Sequence, residues 1–146
     1  MDIDKIIPLP QQCELKQGRL ELAALENLAV ADALKSAEGL IRAQLEGDLG
    51  KKLGDGKERA VVIEYDKSVP AEGYKLTIGA DGVKIAASDR RGAIYGVQTL
   101  RMASLAQLKK GGKASVACAR IEDSPRFEWR GLEIDEARHF FGEKEI

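Results

Sequence analysis

The clearest local pattern in this chain is the stretch YKLTIGADGVKI, residues 74–85. Its apolar residues alternate with polar ones on both sides of a glycine-containing turn, with Leu76 and Ile78 before the turn and Val83 and Ile85 after it. An apolar residue at every second position is typical of a strand with one buried face. Two such runs joined by a short glycine-rich turn predict an antiparallel β-hairpin.

Further strands and two helices are predicted around this hairpin. Apolar runs and alternating patterns predict strands at residues 13–16, 19–22, 28–30, 60–63 and 114–121. Asp32 is the predicted N-cap of the first helix, and Ser88 or Asp89 that of the second. The two apolar stripes are Leu34, Ala37, Ile41 and Leu45, and Ile94, Val97, Leu100 and Leu108, with Ser104 in the second row. The pattern predicts an α+β domain: one small antiparallel or mixed sheet with two helices on one face.

Composition narrows the class of protein. The 146 residues carry a net charge of −1, and 44% of them are hydrophobic, which is typical of a globular domain with a core. Near-neutral charge and 5% aromatic residues disfavour a nucleic-acid binder. No apolar run is long enough to span a bilayer, and the first residues lack the pattern of a secretory signal peptide.

Residues with metal-binding or nucleophilic chemistry are sparse. Cys13 and Cys118 have no second cysteine or histidine at metal-ligand spacing, so we expect both to be small buried residues. His139 is the only histidine, which disfavours a catalytic triad or a zinc site. The glycines of residues 92–96 lack phosphate-loop spacing and predict close packing of a helix on the sheet. We expect no metal and no cofactor.

Several motifs resemble one enzyme family. DSPRFEWRGL at 123–132, Ile134-Asp135 and ARHFF at 137–141 resemble the start of the catalytic barrel of β-N-acetylhexosaminidases, the family 20 glycoside hydrolases. EGYKL at 72–76, GVKI at 82–85 and RGAIYGVQTL at 91–100 are similar to the small α/β domain that precedes this barrel. Both sets occur in the family's order. The chain departs from the family pattern at Glu133, at Glu136 and at residues 101–103. These departures leave the subfamily and the preferred glycosidic linkage open.

The resemblance implies two parts. Residues 1–122 would form the pre-barrel domain, and residues 123–146 would be a truncated first β/α unit of a (β/α)8 barrel. The family removes terminal β-linked N-acetylhexosamine with retention, and the substrate's own acetamido oxygen attacks the anomeric carbon. Its catalytic Asp-Glu pair lies on a later barrel strand, so we expect this chain alone to be inactive and to contain no catalytic residue. A free-standing carbohydrate-binding or protein-interaction module is the alternative.

The resemblance also assigns site residues. Arg130 would bind hydroxyls of the terminal N-acetylglucosamine or N-acetylgalactosamine, a role that suits the five fixed donors of a guanidinium. Barrel sites lie at the carboxyl ends of strands, whereas Arg130 begins its strand, so a surface arginine at a linker remains the other reading. Asp135 and Arg138 are favoured as a structural clamp over ligand contact. His139 is favoured as a structural residue.

The last residues are rich in apolar side chains. Trp129, Leu132, Ile134, Phe140 and Phe141 would be covered by a barrel, and left uncovered they would form an unusual apolar patch. We therefore expect the tail to pack against a neighbouring chain or to fold back on its own domain. By analogy with the family, a periplasmic or extracellular location is favoured.

Overall fold

The computed structural model describes residues 6–108 and 114–133. Its helices and strands confirm the α+β class, with a mixed sheet and two α-helices over the described residues. In chain order the elements are β1 Gln12–Glu21, β2 Asn27–Val30, α1 Glu38–Leu49, β3 Ala60–Tyr65, β4 Tyr74–Gly79, β5 Gly82–Ala87, α2 Arg90–Leu108 and β6 Ser115–Asp123. Two short 3-10 helices, Leu22–Ala24 and Asp32–Ala37, precede β2 and α1.

The predicted hairpin lies at the centre of the sheet. Strands β4 and β5 pair antiparallel, with Ile78 opposite Val83 and Leu76 opposite Ile85. The strand order is β1-β6-β4-β5-β3-β2. Strand β3 runs parallel to both β2 and β5, and the other pairs are antiparallel, so the mixed alternative is the observed one.

The first strand differs from the prediction. Residues 13–16 and 19–22 were expected as two strands, but β1 is one strand paired with β6, and the register shifts between Leu15 and Arg19. Gly18 lies inside this shift at a φ of +99°, a conformation open to glycine and rarely to other residues. The irregularity lets the strand bend and continue instead of ending at Gly18.

The two faces of the sheet differ in polarity. Leu76 and Ile85 are fully buried on the helix-covered face, and each such side chain contributes roughly 1.5–3 kcal/mol on burial. The opposite face carries Lys75, Lys84 and Arg120, with their heads in solvent or in ion pairs. This alternation is why the chain folds with both helices on one side.

Helix α1 confirms its predicted stripe but not its predicted cap. Leu34, Ala37, Ile41 and Leu45 are all buried in the core. Asp32, however, begins the 3-10 helix and makes no capping hydrogen bond, and the residue before α1 is Ala37. The stripe continues through both helices because a 3-10 turn also places residues three apart on one face.

Helix α2 begins at the predicted cap. The backbone N–H of Gly92 donates to Asp89 Oδ1 at 2.9 Å, which satisfies a free donor of the first turn. Val97 and Leu100 are buried as predicted, whereas Ile94 is only half-buried and Ala93 takes the innermost place.

Two glycines set the distance between α2 and the sheet. A Cβ at Gly92 would lie 2.0 Å from the carbonyl oxygen of Gly73, and one at Gly96 would lie 2.7 Å from Ile85 Cγ2. The predicted close packing of residues 92–96 is therefore confirmed. This approach brings the start of α2 against the loop that precedes β4.

The chain after β6 is irregular over residues 124–133. The strand of the predicted barrel unit, which Arg130 was expected to begin, does not form over residues 130–133, and residues 134–146 lie outside the described residues. The barrel unit therefore stays a prediction. Among the helices of the described chain, none combines the length and apolar character needed to cross a membrane.

Candidate functional site

A cleft of about 430 Å³ lies between α2 and the segment that follows β6. Tyr95, Thr99 and Met102 of α2 form one wall, and residues 123–127 with Arg130 form the other. Pro8 and Leu9 of the N-terminal segment also line it. The cleft combines apolar side chains with a few polar groups, an arrangement typical of sites that bind small molecules or peptide segments.

Hydrogen bonds hold the N-terminal segment against the segment after β6. The Gln11 backbone N–H donates to Asp123 Oδ1 at 3.1 Å, and its side-chain amide donates to the carbonyl of Ser124 at 2.7 Å. Arg126 also donates to the carbonyl of Leu9 at 3.4 Å. Two segments more than 110 residues apart in sequence therefore form one border of the cleft.

Arg130, the predicted sugar-binding residue, lies at this cleft. Its Nη2 donates to Glu72 Oε2 at 2.6 Å, and its Nη1 donates to the carbonyl of Phe127 at 2.5 Å. A longer contact of 3.5 Å joins Nη2 to the hydroxyl of Tyr95. The pKa of Arg130 is raised, and the hydrogen bond to Glu72 is the largest cause. The exposed fraction of the Arg130 side chain is 39%.

Glu72 is a site residue that the sequence did not reveal. Its carboxylate accepts hydrogen bonds from two arginines, Arg130 on Oε2 and Arg91 on Oε1, each at 2.6 Å. These two hydrogen bonds hold the pKa of Glu72 below its usual value, and the bond from Arg130 has the larger effect. The only local signal was its place in the EGYKL motif, because both arginine partners are distant in sequence.

Asp89 connects Glu72 to helix α2. Its Oδ2 accepts from the backbone N–H of Glu72 at 2.7 Å, while its Oδ1 caps the helix at Gly92. Burial alone would raise the pKa of Asp89, but the backbone N–H groups of Gly92 and Glu72 lower it, and the net direction is downward. The loop before β4 and the start of α2 therefore share one carboxylate.

Tyr74 is a core residue with a polar tip at the cleft. Only 4% of the residue is exposed, and its hydroxyl lies 2.6 Å from Thr99 Oγ1. The hydroxyl also donates to Asp123 Oδ2 at 3.4 Å. Burial raises the pKa of Tyr74 to about 12. Tyr74 is therefore part of the core, while Tyr95 is half-buried and lines the cleft.

Five large apolar side chains of the N-terminal segment and of the segment after β6 are exposed. We call Ile7, Leu9, Phe127, Trp129 and Leu132 the apolar rim. Leu9 and Phe127 line the cleft, and Trp129 and Leu132 have 87% and 85% of their surface exposed. The expectation that the tail folds back on its own domain is therefore wrong for these two side chains, although Arg126 and Arg130 bind the backbone segment to the domain. Packing of the tail on a neighbouring chain stays a prediction.

Other predicted residues fall elsewhere. Cys118 is buried as expected, but Cys13 is exposed, because β1 is an edge strand with little covering it. Asp135, Arg138 and His139 lie outside the described residues. Within residues 6–108 and 114–133, no three histidine, cysteine or acidic side chains gather in a way that could hold a metal ion.

The comparison with known families identifies the family of this chain. Residues 4–124 match the family model described as glycosyl hydrolase family 20, domain 2. The chain belongs to glycosyl hydrolase family 20. The resemblance stated from residues 72–100 and 123–141 is thereby confirmed at the level of the family.

The relatives of this family 20 chain are hexosaminidases. It is 34% identical over 136 residues to the β-hexosaminidase of Vibrio vulnificus, covering 92% of this chain and 15% of that protein. It is 32% identical over 148 residues to the β-N-acetylhexosaminidase of Cellulomonas fimi, covering 93% of this chain and 29% of the relative. The chain therefore spans less than a third of either relative.

Solved structures agree with this assignment. The family 20 β-N-acetylhexosaminidase of Streptomyces coelicolor A3(2) superposes with a TM-score of 0.85 at 28% identity, over 99% of this chain and 31% of that one. Because the match covers nearly the whole of this chain, the Streptomyces coelicolor enzyme contains a unit with the same fold.

Proposed function

We propose that this chain is the non-catalytic N-terminal part of a glycoside hydrolase that removes terminal β-linked N-acetylhexosamine. Residues 1–122 are the domain before the barrel, and residues 123–146 begin the (β/α)8 catalytic barrel. The match of residues 4–124 to domain 2 of family 20 carries the proposal. The hexosaminidase relatives, of which this chain spans 15–29%, support it.

The proposed reaction proceeds with retention at the anomeric carbon. The acetamido oxygen of the substrate attacks that carbon, a glutamic acid protonates the leaving oxygen, and the preceding aspartate orients the acetamido group. In this proposal the Asp-Glu pair belongs to a part of the protein outside the 146 residues. The chain supplies support for the barrel and one sugar-binding side chain.

Arg130 is that side chain. A guanidinium has five N–H donors in a fixed plane, so it can bridge neighbouring hydroxyls of a sugar while another donor binds a carboxylate. The ion pair with Glu72 and the 39% exposure of Arg130 are compatible with this role. Asp135 and Arg138 are proposed to pair as a structural clamp, and His139 is proposed to be structural.

The exposure of the apolar rim supports the proposal that another part of the protein covers it. Phe127 and Trp129 expose 73% and 87% of their area, and burial of such rings is worth roughly 25 cal/mol per Å² removed from water. Aromatic side chains of this kind are enriched where protein surfaces meet. In the proposed enzyme the rest of the barrel covers this rim.

The decisive test compares two proteins on one substrate. The 146-residue chain and the longer protein encoded by the same gene are each assayed for hydrolysis of 4-nitrophenyl N-acetyl-β-glucosaminide. We expect turnover by the longer protein and none by the chain. Turnover by the chain alone would overturn its non-catalytic status, and an inactive, folded longer protein would overturn the hexosaminidase assignment.

A free-standing carbohydrate-binding module is the second candidate. The exposed rings of Phe127 and Trp129 beside a cleft with polar walls favour it, because aromatic rings stack on the apolar faces of sugars. Calorimetric titration of the chain with chito-oligosaccharides separates the two candidates. Binding that Trp129→Ala abolishes, in a gene product of about this length, would favour the module.

A further inference from the structure

Glu72 has a backbone conformation that is strained for a residue with a side chain. Its φ is +61°, in the left-handed region where a glycine fits without strain and other residues rarely occur. The neighbouring residue is itself a glycine, Gly73, so the loop already contains a residue suited to such a conformation. Strain of this kind persists where the surrounding structure uses the side chain, and it favours a functional reason for the carboxylate.

The carboxylate of Glu72 is fixed from several directions. Its two oxygens accept from Arg91 and Arg130, and only 18% of the side chain is exposed. Its backbone N–H is held by Asp89, which in turn caps α2 at Gly92. A rigid helix end therefore determines where the carboxylate lies, and the carboxylate determines where the Arg130 guanidinium lies.

Arg130 needs such a partner. It lies in an irregular segment, and its long side chain has several rotatable bonds whose freedom opposes any single orientation. Two parallel constraints act on its guanidinium: Glu72 on Nη2 and the carbonyl of Phe127 on Nη1. Together they set the plane of the group beside Tyr95 at the cleft.

We propose that Glu72 is the positioning residue for Arg130 and thereby raises the affinity of the site for the terminal sugar. The inference rests on the proposed function, in which Arg130 binds sugar hydroxyls. Glu72 acts through Arg130 and does not itself contact the sugar. Its loss should weaken substrate binding much more than it weakens the fold.

The position offers a variant that separates these effects. Glu72→Gly removes the carboxylate and also relieves the backbone strain, so the chain should fold with a melting temperature within about 3 °C of the original. Glu72→Gln keeps the side chain's shape and removes its charge. Arg59 offers a matched control. It also has a positive φ, +47°, and it forms an ion pair with Glu26 at 2.6 Å. It does not line the cleft.

The first experiment uses the 146-residue chain and does not depend on activity. Nitrogen-15 NMR of the arginine side chains reports whether rotation of a guanidinium is restricted, and the Arg130 signals are assigned by their loss in Arg130→Lys. We expect separate, slowly averaged Nη signals for Arg130 in the original chain and averaged signals in Glu72→Gly and Glu72→Gln. Arg59→Gly should leave the Arg130 signals unchanged. Unaltered Arg130 signals in both Glu72 variants would overturn the inference.

The second experiment uses the longer protein and its hydrolysis of the same 4-nitrophenyl substrate. We expect Glu72→Gly and Glu72→Gln to raise KM by roughly tenfold with a smaller change in kcat, as for the loss of a charge-assisted binding contact. Arg59→Gly should leave KM unchanged. If Arg130→Lys raises KM and the Glu72 variants do not, the inference fails and the proposed function stands. If the longer protein hydrolyses no N-acetylhexosaminide, the proposed function fails, and the inference loses the sugar-binding role on which it rests.

Discussion

The sharpest test of the fold is the substitution Gly92→Ala in the first turn of α2. The added Cβ would lie 2.0 Å from the carbonyl oxygen of Gly73, whereas real Cβ contacts are essentially never shorter than 3.0 Å. Helix α2 and the loop before β4 must therefore separate by at least 1.0 Å. The clashing oxygen belongs to the backbone of Gly73, so no side-chain rotation can relieve the contact.

The magnitude follows from what this separation breaks. Forcing extra volume into a packed contact costs about 1–3 kcal/mol. A shift of about 1 Å also weakens the bonds of Asp89 to Gly92 and to Glu72, now 2.9 and 2.7 Å, and loss of an N-cap costs about 1 kcal/mol. The greater helix propensity of alanine offsets less than about 1 kcal/mol. We expect a net destabilisation of about 2–3 kcal/mol.

The assay is urea unfolding followed by circular dichroism at the helix band, because Trp129 is too exposed to report on the core. Gly47→Ala is the matched control: it lies inside α1, and a Cβ there meets nothing within 4 Å. We expect this control to stabilise the chain by about 0.5–1 kcal/mol. A Gly92→Ala variant as stable as the original chain would refute the close approach of α2 to the sheet.

Three further predictions test the cleft and the helix pair. Asp89→Asn should destabilise the chain at pH 7 by about 1 kcal/mol, because the amide oxygen can still cap Gly92 but the amide nitrogen cannot accept the backbone N–H of Glu72. Because folding lowers the pKa of Asp89, this difference should shrink in urea unfolding as the pH falls below about 4, and a constant difference would contradict the prediction. Tyr74→Phe should cost about 1 kcal/mol at pH 7. Because folding raises the pKa of Tyr74 to about 12, the stability advantage of the original chain over this variant should fall between pH 10 and 12 in the same assay, and an unchanged difference would contradict the prediction. Arg101→Lys should lower the melting temperature by about 3 °C, since lysine cannot reproduce the two bonds of Arg101 to Asp48 of α1, and an unchanged melting temperature would show that this pair contributes nothing.

In the proposed enzyme, the arrangement of the site gives the domain before the barrel a route to influence catalysis. Arg130 follows the matched family 20 domain in sequence, yet its guanidinium is bound by Glu72, 58 residues earlier, on a loop of that domain. The pre-barrel domain would then do more than pack against the barrel. It would supply the fixed carboxylate against which a sugar-binding arginine is oriented.

Only part of this site was accessible from the sequence. Arg130 stood out through the family resemblance, and Asp89 through its position before an apolar helical stripe. Glu72 and Asp123 lie in motifs that resemble the family, but no local pattern assigned either carboxylate a role, because hydrogen-bond partners such as Arg130 and Gln11 are 58 and 112 residues away. The N-cap assigned to Asp32 was wrong because a 3-10 turn precedes α1, and the apolar periodicity of the two kinds of helix is similar over so few residues.

The hairpin of β4 and β5 and the buried stripes of the two helices could be predicted from sequence, because alternation and three-to-four spacing indicate which side chains leave water. The family could be predicted from the motifs at residues 72–100 and 123–141. Three features were seen only in the tertiary structure: the strand order, the continuity of β1 through Gly18, and the contacts that join Glu72, Asp89 and Arg130. These features depend on which distant segments pair. Pairing is set by the sum of many long-range contacts and not by the pattern of any one segment.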